Sequence, residues 1–453
     1  MAQFFDAKAF NPAVFGQYTD TVENTHLNAM IDSGAVIEDD KISTLFNEQV
    51  GGYYAEVPVW GNIYDIEPDN YDGTTDITAD TVNSYVQGAV AVGRAKAFKE
   101  KDFTYELIGG KADPMRNVGD QTAEWKDGNK QKEILAILDG IFANEAFAAA
   151  HTYDATAVVN SDGETGIADA TTFNTGMQRA CGDKKKKFSL LFMDSAVATG
   201  LENKKLLTYA KYTDANGMER DTDMGTINGK KALVDDDART FQKKIADAVA
   251  GVYSLVVTTA LASGDSVEIA GVEYEYSSSA TSKSAQATAI AAAINADTEA
   301  KKIYTASASS DTVTITENTG KEGTGAPEVD QTGSTTGVLT LTTTTTGKAA
   351  VYKTAHVTYV LGTGAFKHSN CPVHVPYEMD RNPAKNGGET LLYVRHRDVF
   401  VPAGFSFTKS SLAKLSPTNT ELANGANWSV VADGDGNKID MKLIPIARVI
   451  TYA

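Results

Sequence analysis

The stretch DPMRNVGDQTAEWKDGNKQKEILAILDGIFANEAFAAA, residues 113–150, decides how the rest of the chain is read. Asp113-Pro114 is a strong helix start. The Asp carboxylate accepts from an otherwise unpaired amide, and Pro costs nothing at the first helical position. Ile134, Ile137, Leu138 and Ile141 recur at spacings of three and four and so share a face. Glu145 interrupts that stripe one turn later, and Ala148 resumes it. Gln121, Glu124, Lys126, Asp127, Lys130 and Lys132 dominate the first half and read as solvated or partner-facing. Gly128 and Asn129 are poor helix formers and mark a bend or break. Unbroken, the helix would be roughly 50 Å or more long at 1.5 Å per residue, longer than a small domain is wide. A rod with one apolar half suits a spine that crosses between subunits.

Bulk composition narrows the function classes. The 453 residues can fill several domains and bury ample core, so no disulfide or metal staple is needed. A net charge of −18, from 59 acids against 41 bases, argues against a nucleic-acid-binding surface as the main activity, because phosphate contact needs clustered Lys and Arg. It suits a protein that lies near DNA without sticking to it. Cys181 and Cys371, far apart in sequence, read as buried or free thiols of a reducing compartment. The opening MAQFFDAKAF has no basic-then-apolar signal pattern, and no run of eighteen apolar residues occurs, so a soluble product made in a cytoplasm is expected.

Along the chain, residues 1–48 carry Phe4, Phe5, Phe10, Phe15, Leu27, Met30 and Ile31 without a single clear period, although a helix near 13–28 fits. They read as an arm lying across something, since aromatics on an extended segment need a surface to cover them. Residues 53–65 and 84–101 alternate as strands. Between them Asp65, Glu67, Asp69, Asp72, Asp76 and Asp80 make an acidic tip without a base, while Arg94, Lys96, Lys99 and Lys101 make a basic root. A long two-stranded ribbon is marginal alone in water and implies a neighbour to lie on. The alternative is a hairpin folded back on its own domain. Residues 171–181 read as a short helix, then Lys184, Lys185, Lys186 and Lys187 lead into a strand at 188–193. This lysine run is either a solvated strand entrance or a seat for a neighbour's acidic tip. A helix at 195–201 and strands at 206–212 and 229–234 complete a mixed α/β domain.

Composition changes abruptly near residue 250. Residues 251–347 contain no Trp, Phe, His, Cys, Met or Arg, Thr supplies 20 of the 97, and acids outnumber bases 11 to 4. Aromatics typical of a busy core are missing. Strands are predicted at 253–259, 266–269, 272–276, 303–307, 312–317 and 338–346, with a helix at 284–295 and a surface loop at 319–337. This is a self-contained β-rich module inserted at exposed loop tips of its host. The host resumes with a strand at 356–361, the turn Gly362-Thr363-Gly364, an irregular stretch to 388, and strands at 391–401, 428–432 and 439–451.

The search for chemistry returns little. G-x-x-x-x-G-K-[ST], G-x-S-x-G and H-E-x-x-H are all missing, and Gly320–Gly325 lacks a strand-to-helix context. His368, Cys371 and His374 offer three soft ligands without a fourth, so a plain loop is favoured over zinc. Asp235-Asp236-Asp237 reads as a solvated strand end. Asp433, Asp435 and Asn437 mimic half a calcium loop, but Lys438 replaces its glycine and Ile444 its last acid, so a hairpin turn is favoured. Asn427-Trp428-Ser429 matches a glycosylation sequon without a secretory context. No catalytic residue, cofactor or metal is assigned, and nothing obliges the protein to be an enzyme.

The order of parts is more telling than any motif. Lys101-Asp102-Phe103 to Gly109-Gly110, Asp113-Pro114-Met115 and LAILDGIF at 135–142 come first. KALVDDD at 231–237, YVLGTGAF at 359–366 and Glu378-Met379-Asp380-Arg381 follow. Gly387-Gly388-Glu389, Arg395 to Gly404-Phe405-Ser406-Phe407 and SPTNTELANGANW at 416–428 close the set. With these the chain resembles the major capsid proteins of tailed bacteriophages, of the Hong Kong 97 type, especially coat proteins of phages of low-GC Gram-positive bacteria. The likeness covers residues 1–245 and 353–453.

That resemblance implies an α+β fold with an N-terminal arm (1–48), an extended hairpin loop (49–101) and a peripheral domain on the spine helix (102–150). An axial domain in two parts (151–248 and 351–386) and returning peripheral strands (387–453) complete the host, interrupted by a mostly-β insertion (249–350). It further implies self-assembly into hexamers and pentamers of an icosahedral shell around double-stranded DNA, held without sequence-specific contact, with no membrane. The acidic residues of the tip and the basic Arg94, Lys96 and Lys184 to Lys187 are then the expected inter-subunit contacts. Synthesis in the host cytoplasm, a separate scaffold protein, a portal and a decoration protein are expected partners of a virion subunit. The insertion is similar to modules of other phage structural proteins such as tail sheaths, and its expected place is the outer face. No crosslinking lysine or asparagine can be matched. A bacterial surface-layer or adhesion protein, and a tail sheath or tube subunit, are the competing readings.

Overall fold

The spine helix runs from Pro114 to Ile141, about 42 Å at 1.5 Å per residue, and passes Gly128 and Asn129 without a break. The interruption comes later. Asn144 accepts the Phe147 N–H (3.1 Å) and caps a second helix, Glu145–His151, whose axis turns 103° from the first. The computed structural model describes residues 11–20, 25–48, 53–61, 68–74, 76, 77, 79, 84–101, 114–160, 162–213, 219–332, 338–385, 387–434 and 436–453. They fall into two units, Met1–Thr240 with Ala355–Ala453, and Phe241–Thr354. Among the described residues no single helix is long and apolar enough to cross a membrane.

In the first unit the predicted stripe Ile134, Ile137, Leu138 and Ile141 is buried. The polar half of the spine departs from expectation. Gln121, Glu124 and Lys132 are exposed, but Asp127 is buried and Lys126 and Lys130 are half-buried. The cause lies in the described residues between 12 and 48, which are not an extended arm. They form the helices Pro12–Asp20, Thr25–Asp32 and Asp40–Glu48 and the short strand Val36–Glu38. The first two helices pack on the spine, and the Asp127 carboxylate accepts the Leu27 N–H at 3.2 Å. Phe15, Leu27, Met30, Ile42 and Phe46 thereby find cover within their own chain. Phe4, Phe5 and Phe10 lie outside the described residues.

Beside the spine stands a six-stranded sheet centred on Glu389–Pro402. Ser84–Lys101 pairs antiparallel with Tyr54–Trp60 over residues 84–90, then with Glu389–Pro402 from Ala91↔Val399 to Lys101↔Glu389. The basic root of the hairpin is therefore paired along its length with the central strand of its own sheet, and is not a free ribbon. The stretch expected to be irregular holds two strands. Phe366–Cys371 pairs antiparallel with the central strand and parallel with Val36–Glu38, and Tyr377–Asn382 pairs with residues 389–394.

An eight-stranded sheet forms the rest of this unit, except for its residues 241–246 and 351–354, which belong to the second. Its order is Thr152–Asp154, Ile446–Thr451, Val351–Gly362, Phe188–Met193, Lys230–Val234, Glu219–Ile227 and Thr208–Thr213, with Thr240–Ala246 also on Val351–Gly362. The helices Ala170–Cys181 and Ser195–Asn203, capped by Asp169 and Asp194, cover it through Phe173, Met177, Val197 and Leu201 against Phe188, Leu191 and Val449. The lysine run occupies a 3₁₀ turn, Gly182–Lys187, at the entrance of Phe188–Met193.

The second unit packs the helix Lys283–Ala296 on a four-stranded sheet ordered Tyr304–Ser309, Thr312–Glu317, Val252–Thr259, Val338–Thr345. Val272–Glu275, Ser266–Ile269 and Val329–Thr332 form a three-stranded sheet, the last inside the segment expected to be a loop. Two aromatics do enter its core, Tyr253 and Tyr304, with ring centroids 6.5 Å apart. Glu317 binds the module's base together. Its carboxylate accepts Gly251 N–H (2.8 Å), Gly323 N–H (2.9 Å), Gly325 N–H (2.7 Å) and Tyr253 O–H (3.1 Å). Burial alone would raise this carboxyl's pKa, but the three amides and the hydroxyl hold it below its ordinary value.

Candidate interaction surfaces

The hairpin is anchored at its root by a buried set of charges. Arg94, on the strand Ser84–Lys101, places Nε 3.0 Å from the Glu133 carboxylate of the spine, and donates to the Pro417 carbonyl (2.8 Å) and Asn419 Oδ1 (2.6 Å). Glu133 is fully buried, and burial pushes its pKa up to about 8 against the pull of Arg94 and Lys130. One turn away Lys130 sits 3.0 Å from Asp398 of the central strand, and His368 Nε2 is 3.1 Å from the same oxygen. Burial would raise Asp398, but the hydrogen bond from His368 and the charge of Lys130 hold it down to about 2. Burial also holds His396 down to about 4. These groups fix strand to spine.

The other chemical candidates are dispersed. His368 is committed to Asp398, Cys371 is a buried thiol pushed up to about 11 by burial, and His374 is exposed. Among the described residues no group of three His, Cys, Asp or Glu is placed to hold a metal. The Asp235 carboxylate accepts the Asp237 N–H (2.6 Å), and Asp236 accepts the Ser195 N–H (3.3 Å). The Asp433 carboxylate accepts the Asn437 N–H (2.8 Å) within a turn. Asn427 of the sequon is fully buried, bonded to Glu421 O and Ser411.

Beyond the root, the hairpin is pinned once more, where Gln87 Nε2 donates to Pro402 O and Phe405 O (2.6 Å each) and Gly88 N–H to Ser406 Oγ (2.8 Å). Past that point the side chains emerge. Trp60 is 74% exposed, Tyr71 91% and Ile77 73%, among exposed Asp69, Asp72 and Asp76. Asp65, Glu67 and Asp80 lie outside the described residues. Large apolar side chains thus stand exposed in an acidic setting. Of the basic residues, Arg94 is engaged within its own chain, whereas Lys96, Lys186 and Lys187 are exposed. Lys184 and Lys185 are half-buried, and Lys185 reaches Asn174 (3.1 Å). An open groove of about 610 Å³, lined by Tyr53, Gly93, Lys414, Leu415, Ser416 and Pro417, was not visible in the sequence. Leu415, 72% exposed beside Lys414, is the one signal that points to it.

No family model matches the chain. It is 22% identical over 422 residues to the major capsid protein of Bacillus phage SPP1, covering 93% of this chain and 92% of that protein. Among solved structures it is similar to the acidic stable capsid structure of Helicobacter pylori bacteriophage KHP30, with TM-score 0.39 and 10% identity over 89% of this chain and 86% of that one. It is also similar to the capsid of Ralstonia phage GP4, with TM-score 0.40 and 8% identity over 89% and 84% of the two chains.

Proposed function

We infer that this chain is the major capsid protein of a tailed bacteriophage, of the Hong Kong 97 type, whose copies close into an icosahedral shell. The observation that carries the reading is the likeness to a phage major capsid protein that runs almost end to end through both chains. The geometry agrees with it. A hairpin locked by Arg94 and Glu133 at its root and by Gln87 beyond it holds out Trp60, Tyr71 and Ile77, which no part of their own chain covers fully. The role is structural, and relatives of this kind point away from catalysis.

On this reading the tip of one subunit lies on the next. Its acids (Asp65, Glu67, Asp69, Asp72, Asp76, Asp80) meet a basic surface to which Lys96 and Lys184 to Lys187 contribute. Hexamers and pentamers assemble in the host cytoplasm with a separate scaffold protein, join a portal, and carry the insertion on the outer face, where a decoration protein has room to bind. The net charge of −18 limits sticking of packaged double-stranded DNA to the wall. Each subunit's stability is then inseparable from assembly, because surfaces exposed in one copy are buried by the next.

Electron microscopy of the purified chain tests this. Icosahedral shells are expected. Planar lattices would instead favour a surface-layer protein and tubes a tail sheath or tube subunit, and either would overturn the reading.

A further inference from the structure

The two strands that lead into and out of the second unit form a ribbon, Thr240–Ala246 against the start of Val351–Gly362, closed by the pair Val249↔Lys348. Gln242 Nε2 donates to Thr354 Oγ1 across it (2.9 Å). Four large apolar side chains on it, Ile245, Val249, Val351 and Tyr352, are 41–57% exposed, with the strand neighbours Val351 and Tyr352 on opposite faces. Such a concentration on a two-stranded element is not expected of a surface that faces only water. Its charge is also distinct. Residues 241–250 and 348–354 carry Lys243, Lys244, Lys348 and Lys353 against one acid, Asp247, while residues 251–347 carry 11 acids against 4 bases.

The same unit presents a surface of complementary sign. On the outer face of the three-stranded sheet Glu268 stands directly opposite Glu273 on one side and Asp330 on the other, and all three are exposed. Val267 and Ile269, which alternate with Glu268, point into the core. Like charges paired directly across strands oppose each other, so a sheet that keeps three in a row is held at the expense of its own stability unless something positive covers it.

We propose that the ribbon is a docking surface for a second copy of this chain, and that its occupant is the acidic sheet face carrying Glu268, Glu273 and Asp330. Charge complementarity selects this occupant over the ribbon of another copy, which would bring lysines against lysines. Ribbon and acidic face are different patches of one unit, so the contact is head-to-tail. Head-to-tail contacts close only as rings, which fits cyclic sets of subunits. The Lys244–Asp247 pair (2.7 Å) is exposed, so water screens it and leaves Lys244 able to exchange partners. The proposal rests on the shell reading only in requiring that copies be neighbours.

The test uses particles assembled from a mixture of ¹⁴N- and ¹⁵N-labelled full-length chains. A water-soluble carbodiimide then joins amines to carboxylates in contact, and the peptides are identified by mass spectrometry. Mixed-isotope links from Lys244 or Lys348 to Glu268, Glu273 or Asp330 are expected. The charge reversal Lys244→Glu with Lys348→Glu should lose them, and particles built with the further changes Glu268→Lys and Glu273→Lys should regain them in the opposite sense. Links confined to one chain, links to a different protein, or no links from these lysines would overturn the proposal. Electron microscopy of the same samples separates the two questions: intact shells without the links overturn the ribbon contact alone, and the absence of shells overturns the capsid reading.

Discussion

The sequence offers Arg94 as a basic group for a neighbour, and its surroundings give it a task at home. Its guanidinium joins a spine carboxyl to a carbonyl and an amide of the segment 417–419. Arg94→Ala should destabilise the unassembled chain by roughly 1–3 kcal/mol, the usual cost of leaving buried hydrogen-bonding groups without their partner. Arg94→Lys should rescue little, because a point charge cannot reproduce the planar fork. Glu133 adds a pH signature. Its ordinary pKa of 4.5 is raised to about 8 in the fold, so across that window only the folded state holds the proton. Stability therefore falls as pH rises from 4.5 through 8. The opposite sign applies to Asp398, held at about 2 against an ordinary 3.8, whose contribution is lost as pH falls through that range. Urea midpoints of wild type and Glu133→Gln compared at about pH 5 and about pH 9 isolate the first effect. Wild type should lose ground to the variant at the higher pH, and an unchanged gap would mean that the buried carboxyl is ionised throughout.

At the scale of elements, two spine glycines with the same helical backbone should respond in opposite directions. A Cβ on Gly128 would meet no atom within 4 Å, so Gly128→Ala should stabilise by about 1 kcal/mol through helix propensity alone. A Cβ on Gly140 would run into the Leu422 carbonyl and the Trp428 indole, so Gly140→Ala should cost roughly 1–3 kcal/mol despite the same propensity gain. Thermal melts of the two variants give the comparison. The apolar stripe of the spine and most strands of the insertion were legible from spacing and composition. What was not legible has physical causes. The letters Lys126, Asp127 and Lys130 look solvated until Asp398 and the Leu27 amide arrive from distant segments to pair with two of them. FKHSNC at 366–371 loses the strand alternation because His368 and Ser369 are both buried. YEMDRN at 377–382 buries only Tyr377 and so reads as a loop. The groove beside Leu415 draws on residues near 53, 93 and 415, and no local pattern encodes such a convergence.

Over the whole molecule, the insertion is the part whose removal the host should tolerate. Val249 and Lys348 exchange both backbone hydrogen bonds (2.8 Å each), so the chain leaves the host and returns to it at one point. Replacing residues 250–347 by a two-residue Asn-Gly turn, which suits a hairpin closing there, should leave the host core intact. Shells are expected to form, visible by electron microscopy, and to melt earlier than wild type if the ribbon contact holds. Loss of all assembly would make the insertion an essential part of the shell.

A hydrogen-bonded antiparallel pair sets its Cα atoms about 5.5 Å apart. Any foreign polypeptide whose own ends lie that close can be spliced in between Val249 and Lys348 without stretching either flank. The base of the insertion is thus a ready port for displaying grafted cargo, such as an antigen or an enzyme, once on every subunit.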